Sequence, residues 1–232
     1  VYGADAFAGI VNLVSYNVGE QPAELGVRLG SFDALDTYLS KDFLIGNAKL
    51  QLSLNYSHEG TDNNRIIDSD LQTTFDSIFD TNASLAPGVM DEHYEVFSLL
   101  TKLNWHDIDA SYFTWRNFDM GTGVGVAQAL DPEGTTAMYM EEFKVKYNLS
   151  SYVAGDLDFT FSLKRQWADS YIHIFPAGAL FPIGSDGNIN FENPAGFTLF
   201  TDGVIGTPGP SGDVRTYRIT HTFDASKDHF IR

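Results

Sequence analysis

From Lys49 to Ser57 the chain alternates without interruption: Leu50, Leu52, Leu54 and Tyr56 are interleaved with Lys49, Gln51, Ser53, Asn55 and Ser57. A period of two over this length is that of a half-buried β-strand, because a helix would scatter the leucines around its circumference. The pattern recurs along the chain. Leu25, Val27 and Leu29 alternate with Gly26, Arg28 and Gly30, and Leu35, Thr37, Leu39 and Lys41 oppose Asp36, Tyr38 and Ser40. Phe97, Leu99, Leu103 and Trp105 face away from Ser98, Lys102 and Asn104. A strand over Ile108 to Phe118 carries bulk on both faces, so the sequence leaves its faces unassigned. Tyr139, Phe143, Val145, Tyr147 and Leu149 oppose Glu142, Lys144, Lys146 and Asn148. Leu157, Phe159, Phe161, Leu163 and Trp167 then alternate with Asp158, Thr160, Ser162, Lys164 and Gln166. An eighth strand sets Tyr217, Ile219 and Phe223 against Arg218, Thr220 and Thr222, and Phe230 enters a ninth. The fold class is therefore all-β and antiparallel.

The connections sort by strand parity. After the second strand they run short, long, short, long, short, long, short, with long loops at 60–92, 120–138 and 172–212. Membrane barrels show this asymmetry, with short periplasmic turns and long extracellular loops. Alternation by itself is equally the mark of a soluble sandwich. Aromatic residues near strand ends, Tyr56, Trp105, Tyr139 and Trp167, fit an interfacial girdle. Within the first long loop a short helical piece is expected near Leu71 to Phe79.

The first eighteen residues are different in kind: a turn punctuated by Gly3 and Gly9 runs into the apolar Ile10 to Val14. No initiator Met, basic n-region or signal peptide precedes it, so the chain is expected to be a piece of a longer one. Tyr2, Gly3, Ala6, Gly9, Ile10, Val11, Asn12, Leu13 and Val14 resemble the end of the plug domain of TonB-dependent outer-membrane receptors. That family carries Tyr-Gly-x-x-Ala-x-x-Gly-(Val/Ile)-(Ile/Val)-Asn-Ile there. Ser15 and Tyr16 depart from the Thr and basic residue that usually follow. The Gly-Ser-Phe-Asp run ending at Asp33 resembles the Gly-Ser-Tyr-Asp found between the first two barrel strands of such receptors.

The resemblance implies residues 1–19 as the C-terminal end of a plug, with Tyr2, Gly3, Gly9 and Asn12 as structural motif positions. It implies 20–232 as the N-terminal part of a transmembrane β-barrel of about 22 strands. It further implies a receptor of the bacterial outer membrane that takes up a scarce nutrient such as a ferric siderophore, cobalamin, haem or an oligosaccharide. Its partners would be outer-membrane lipid, the nutrient ligand and, through a segment outside this chain, the TonB complex of the inner membrane. No cofactor and no covalent chemistry are implied. A soluble or surface-exposed β-sandwich that binds carbohydrate is the alternative, and a passive porin a third reading.

Charge narrows the partners. Across 232 residues, 31 acids against 14 bases give a net charge of −17, which argues against nucleic acid. No apolar run approaches the length of a transmembrane helix, a fact that leaves strand-built membrane crossings open. Cysteine is absent, which removes disulfides and thiolate metal sites.

The long loops hold twelve of the acids against the single base Arg65. An acidic rim over a wall carrying Arg28, Lys49, Lys102, Lys144, Lys146, Lys164 and Arg218 would repel or steer charged ligands. The competing reading is a solvated surface, with the wall bases paired to plug carboxylates. The third long loop carries Phe175, Phe181 and Phe191, which either contact ligand or fold the loop on itself, with Asp186-Gly187 as a turn. Arg116 and Asp119, near the outer end of the fifth strand, complete the candidate ligand contacts with Arg65. His93 follows Asp91 and Glu92, a solvated cluster or a cation site. The six histidines show no metal-ligand spacing. Gly121 to Gly125 looks like a phosphate loop but lacks its lysine and its strand-loop-helix context.

Overall fold

The computed structural model describes residues 18–19, 22–150, 155–226 and 229–231. Tyr2, Gly3, Gly9 and Asn12, and with them nearly all of the expected plug segment, lie outside the described residues.

Fourteen strands and one helix follow in chain order: β1 (Glu24–Leu29), β2 (Leu35–Ile45), β3 (Ala48–Glu59), β4 (Ile66–Ile67), α1 (Leu71–Phe79), β5 (Gly88–Val89), β6 (Tyr94–Trp105), β7 (Ile108–Met120), β8 (Thr135–Asn148), β9 (Asp156–Phe175), β10 (Ala179–Ile183), β11 (Gly196–Phe200), β12 (Val204–Gly206), β13 (Ser211–Ser226) and β14 (His229–Ile231). One antiparallel sheet takes them in the order β1-β2-β3-β6-β7-β8-β9-β13-β14, with β12 added on β9. Each strand of that path pairs with the next one in sequence after the loop insertions are set aside. It is a meander, the arrangement that short turns between antiparallel strands build most directly.

The register turns the binary pattern into two faces, because successive residues of a strand point to opposite sides. One line of paired positions reads Ile45, Ala48, Trp105, Ile108, Tyr147, Phe159, Ile219 across seven strands. The line two residues away reads Phe43, Leu50, Leu103, Ala110, Val145, Phe161, Tyr217. Between them, on the opposite face, run Leu44, Lys49, Asn104, Asp109, Lys146, Thr160 and Arg218. The same register resolves β7. Ile108, Ala110, Tyr112, Thr114 and Arg116 join the apolar face, while Asp109, Ser111, Phe113, Trp115 and Asn117 join the polar one. Its bulk is two-sided because aromatic residues stand on the polar face as well.

The five-residue link 30–34 between β1 and β2 lies at one end of the sheet, where Gly60 N donates to Phe32 O at 2.7 Å, and the later short connections lie at the other. Two of them are two-residue loops, Gly46-Asn47 and His106-Asp107, each opening on a positive φ (60° at Gly46, 51° at His106). Positive φ at that position lets a tight loop follow the strand twist. The three long connections leave from the end that holds the 30–34 link. They contain α1, over the Leu71 to Phe79 stretch where a helical piece was expected, and the short strands β4, β5, β10, β11 and β12, which the alternation did not reveal. Two boundaries move as well: β9 continues to Phe175 and β8 starts at Thr135, so the sheet extends further into the expected loops.

Burial is distributed in an unusual way. The buried apolar side chains among the described residues are Ala83, Ala129, Leu130, Ile172, Ala179 and Phe181. All six lie in the long connections or at the adjoining end of β9. The apolar rows of the sheet, by contrast, are not covered: on the outlying strands β1 and β13 they are exposed, Leu25 by 75%, Leu29 by 81%, Tyr217 by 68% and Ile219 by 73%, and on the central strands, as at Leu50, Leu52, Leu54 and Leu103, they are half-buried. In water a side chain of this size forfeits about 1.5–3 kcal/mol by staying uncovered.

Candidate functional site

The long connections form a loop layer held together by carboxylates. Asp70 is the N-cap of α1, and its side chain accepts from Thr73 N at 2.8 Å while Thr73 Oγ1 accepts from Asp70 N at 3.2 Å. Such reciprocal capping satisfies donors that a helix start leaves open. The other Asp70 oxygen reaches into the next long connection and accepts from Leu130 N at 2.8 Å. Ser84 Oγ donates to Asp70 at 2.7 Å. Burial works to raise the Asp70 carboxyl, and these donors outweigh it, holding it below the usual carboxylate value.

Asp76 plays the same part at the other end of α1. It accepts from Thr81 Oγ1 at 2.7 Å, Ala83 N at 2.8 Å, Ser84 N at 2.7 Å and Gln72 Nε2 at 2.9 Å. Its carboxyl is likewise lowered, by donors that overcome burial. Asp131, fully buried, ties the second long connection to the end of β9. It accepts from His173 N at 2.8 Å, lies 3.0 Å from His173 Nδ1, and accepts from Thr122 Oγ1 at 3.2 Å. Gly134 passes so close that a Cβ there would meet Asp131 Oδ2 at 2.0 Å.

Asp91 and His93 make a third tie. His93 Nδ1 lies 2.8 Å from Asp91 and its Nε2 lies 3.3 Å from Asp119. Thr61 Oγ1 also donates to Asp91. Backbone bonds run alongside, Gly123 N to Asp91 O at 2.7 Å and Gly121 N to His93 O at 2.9 Å. The glycines of the phosphate-loop look-alike therefore serve a tight turn, with φ of 66° at Gly123 and 72° at Gly125, docked on the first long connection.

Several of the loop acids are thus consumed as acceptors inside the layer, a use that neither a ligand-steering rim nor a solvated surface anticipates. Sequence reasoning missed Asp70, Asp131 and His173. A signal existed for the first: Asp70 with Thr73 just ahead of the apolar run is a capping pair. Little local announces Asp131, whose histidine partner is 42 residues away.

Between α1 and the third connection sits an aromatic cluster. Phe181 is 0% exposed and packs against Phe175 at 4.3 Å and Phe75 at 5.2 Å between ring centroids. Phe191 stacks on Phe75 at 5.5 Å and is 55% exposed. Phe175 and Phe181 therefore fold the loop upon itself, and helix α1 is part of what they pack on. Phe191 combines packing with an open ring face. Asp186-Gly187 does stand in a tight turn, with Gly187 N donating to Gly184 O at 3.0 Å.

The remaining candidates are dispersed. Arg65 makes a two-pronged bond to Glu92, at 2.6 and 2.8 Å, within the first long connection. Asp119 stands against His93. Arg116 is in β7 itself, register-paired with Tyr139, its guanidinium 4.7 Å from that ring centre on the apolar face. A cleft of about 430 Å³ opens beside it, lined by Phe118, Met138, Tyr139 and Trp167. No group of three His, Cys, Asp or Glu side chains is disposed to hold a metal among the described residues.

One contact leads toward the start of the chain. Gly19 N donates to Asp42 Oδ2 at 2.7 Å, and the Gly19 backbone passes against the Lys49 stem. Both belong to the polar face, so Gly19 lies on that side of the sheet.

Comparison with protein-family models, with curated proteins and with solved structures gives no match to this chain.

Proposed function

We propose that this sheet is part of the wall of a plugged transmembrane β-barrel of the bacterial outer membrane, in a receptor of the TonB-dependent kind that takes up a scarce nutrient. In this reading the apolar face meets lipid, the polar face lines the interior, and the loop layer lies outside the cell. Nutrient would bind at the loop layer and the plug apex, and the TonB complex would act through the plug.

The observation that carries the reading is the inverted burial. A water-soluble sheet hides its apolar face under a second layer. Here the apolar rows are half-buried on the central strands and exposed on the outlying ones, with no second layer over them among the described residues, while the fully buried apolar side chains sit in the loop layer. Hydrocarbon is the solvent in which that distribution is stable, and polar side chains then belong on the inner face. Two further features support it. The long connections gather at one end, as extracellular loops do. Gly19 lies against Asp42 and Lys49 on the polar face, the side on which a plug would be housed.

Cell fractionation of the protein expressed from its full reading frame tests the proposal. Recovery in the outer membrane, soluble only with detergent and requiring heat in SDS to lose its folded mobility, is the expected result. Recovery as a monodisperse protein in plain buffer would overturn it.

A further inference from the structure

The polar face carries an apolar island toward its long-loop end. In register from β6 to β13, Ser98, Trp115, Met140, Gln166 and Gly212 form one row. Val96, Asn117, Met138 and Ala168 form the next row on the long-loop side. An indole and two thioethers thus stand on a face that, toward the short turns, carries Asn104, Asp109, Lys146 and Thr160. Trp115 is half-buried and Met138 is exposed. Apolar side chains left open together, with polar residues around them, mark a binding surface.

These side chains line a concavity. A cleft of about 290 Å³ is bounded by Trp115, Met138, Met140, Gln166, Ala168 and Pro210. Pro210 borders it where β13 begins, its carbonyl accepting from Ala168 N at 2.9 Å. Gly212, the register partner of Gln166, has open space where a side chain would stand, which keeps the β13 side clear.

Charge, hydrogen-bonding capacity and shape together select the occupant. None of the lining residues is charged. On the same face the adjoining row toward the short turns sets Glu142 directly opposite Lys164, one of each sign, and the row beyond Ala168 holds Thr136 and Ser170. In a chain of net charge −17 this spot is neutral, and it complements an uncharged group. Beyond the indole N–H of Trp115, Gln166 alone among the six offers polar side-chain atoms. A sugar ring here would bury several hydroxyls without partners, each at a net cost. An aromatic ring with one polar substituent loses nothing of that kind. The flat indole stacks on such a ring, and thioether sulfurs make favourable contacts with its edge. The volume lies at the low end of the roughly 300–1,000 Å³ of ligand pockets, so the cleft takes one ring group of a larger molecule.

We propose that this cleft is a subsite for an uncharged aromatic group of the imported ligand. The ring stacks on Trp115 with Met138 and Met140 against it, and Gln166 bonds its polar substituent. The subsite rests on the receptor reading given above, in which this face lines the interior.

The test uses the full-length protein labelled with 5-fluorotryptophan in detergent micelles, with the Trp115 fluorine resonance assigned as the one lost in Trp115→Phe. Benzyl alcohol is the probe. It should shift that resonance saturably, whereas cyclohexylmethanol, benzoate and methyl glucoside at the same concentrations should not. Gln166→Ala should weaken the benzyl alcohol titration about fivefold, the factor for about 1 kcal/mol of one hydrogen bond. Ala168→Phe, which fills the cleft from within, should abolish it. Saturation by cyclohexylmethanol, benzoate or methyl glucoside as readily as by benzyl alcohol would overturn the aromatic assignment. No saturable shift, with the resonance broadened by a water-soluble gadolinium chelate, would overturn the subsite and leave the receptor reading standing. A resonance reached by neither chelate nor probe would show the cleft filled by protein and reject the subsite. Broadening by an acyl-chain nitroxide in place of the chelate would overturn both readings.

Discussion

Asp131 and His173 are 42 residues apart, yet the buried carboxylate takes both the backbone N–H and the Nδ1 side of that one histidine, at 2.8 and 3.0 Å. This single residue pair fastens the second long connection to the rising end of β9. Removing the carboxylate leaves the His173 N–H without its acceptor in a place water reaches poorly, while the Thr122 hydroxyl keeps only the Asp131 backbone carbonyl. Asp131→Ala should therefore destabilise the loop layer by about 1–3 kcal/mol. Limited proteolysis checks this, with faster cleavage between residues 120 and 138 and an unchanged β-sheet signal in circular dichroism. Cleavage at the parent rate would show that the pair is dispensable. Gly134→Ala should act in the same direction, because its new methyl would collide with Asp131.

Phe181 should behave as a core residue and not as a ligand contact. Its ring is buried among Phe75, Phe175 and Phe200. Phe181→Ala is expected to cost about 3–5 kcal/mol of local stability. Phe191→Ala, at an open ring, should cost distinctly less. Hydrogen exchange of β10 and β11 amides separates the two, and equal effects would contradict the packing described.

His93 makes the tie between the first two long connections dependent on pH. Burial works against its protonated ring, and Asp91 together with Asp119 outweighs burial, so it titrates above its ordinary value. A group whose folded pKa is raised contributes fully below its unfolded value, about 6.5, and loses the contribution as pH rises through the folded value. Asp91 is shifted the opposite way, its donors overcoming burial, and so stays ionised across that window. Exchange of the Gly121 and Gly123 amides should accelerate as pH is raised from neutrality, beyond the intrinsic base catalysis. His93→Gln should remove the excess. A pH profile identical in parent and variant would sink the idea.

Tyr38 lies across Gly26, its register partner, so closely that a Cβ at Gly26 would meet Tyr38 Cε1 at 2.1 Å. An aromatic ring covering a strand glycine replaces the packing that the glycine lacks. Gly26→Val should displace the ring and loosen β1 from β2, seen as faster exchange of β1 amides, whereas Gly212→Ala, in open space, should leave its strand unaffected.

The antiparallel sheet was legible in the sequence and the loop layer largely was not. Strands such as Lys49 to Ser57 declare themselves because each residue's polarity is set by its face, and a period of two survives without knowledge of any partner. Helix α1 was also legible, over Leu71–Phe79, as an apolar stretch within polar surroundings. The paired faces of β7 were not, because Phe113 and Trp115 stand on the polar side and only the register with β6 and β8 sorts them. The loop layer is built from long-range acceptors, Asp70 to Leu130 and Asp131 to His173, whose meaning depends on which loops meet. Of the candidate contacts, Arg65 is committed to Glu92 and Asp119 to His93, partners that a local reading of charge does not supply.

The central claim is that Leu52 and its neighbour Ser53 look into different solvents, hydrocarbon and an aqueous interior. This chain has no cysteine, so in a full-length protein cleared of cysteines elsewhere Leu52→Cys and Ser53→Cys each give one labelling site. With a fluorescent probe on each in outer membranes, lipid-tethered nitroxide should quench the label at position 52 and spare the one at 53, while a water-soluble quencher does the reverse. A label at 52 that water-soluble quencher reaches, or that neither quencher reaches because protein covers it, would contradict the account.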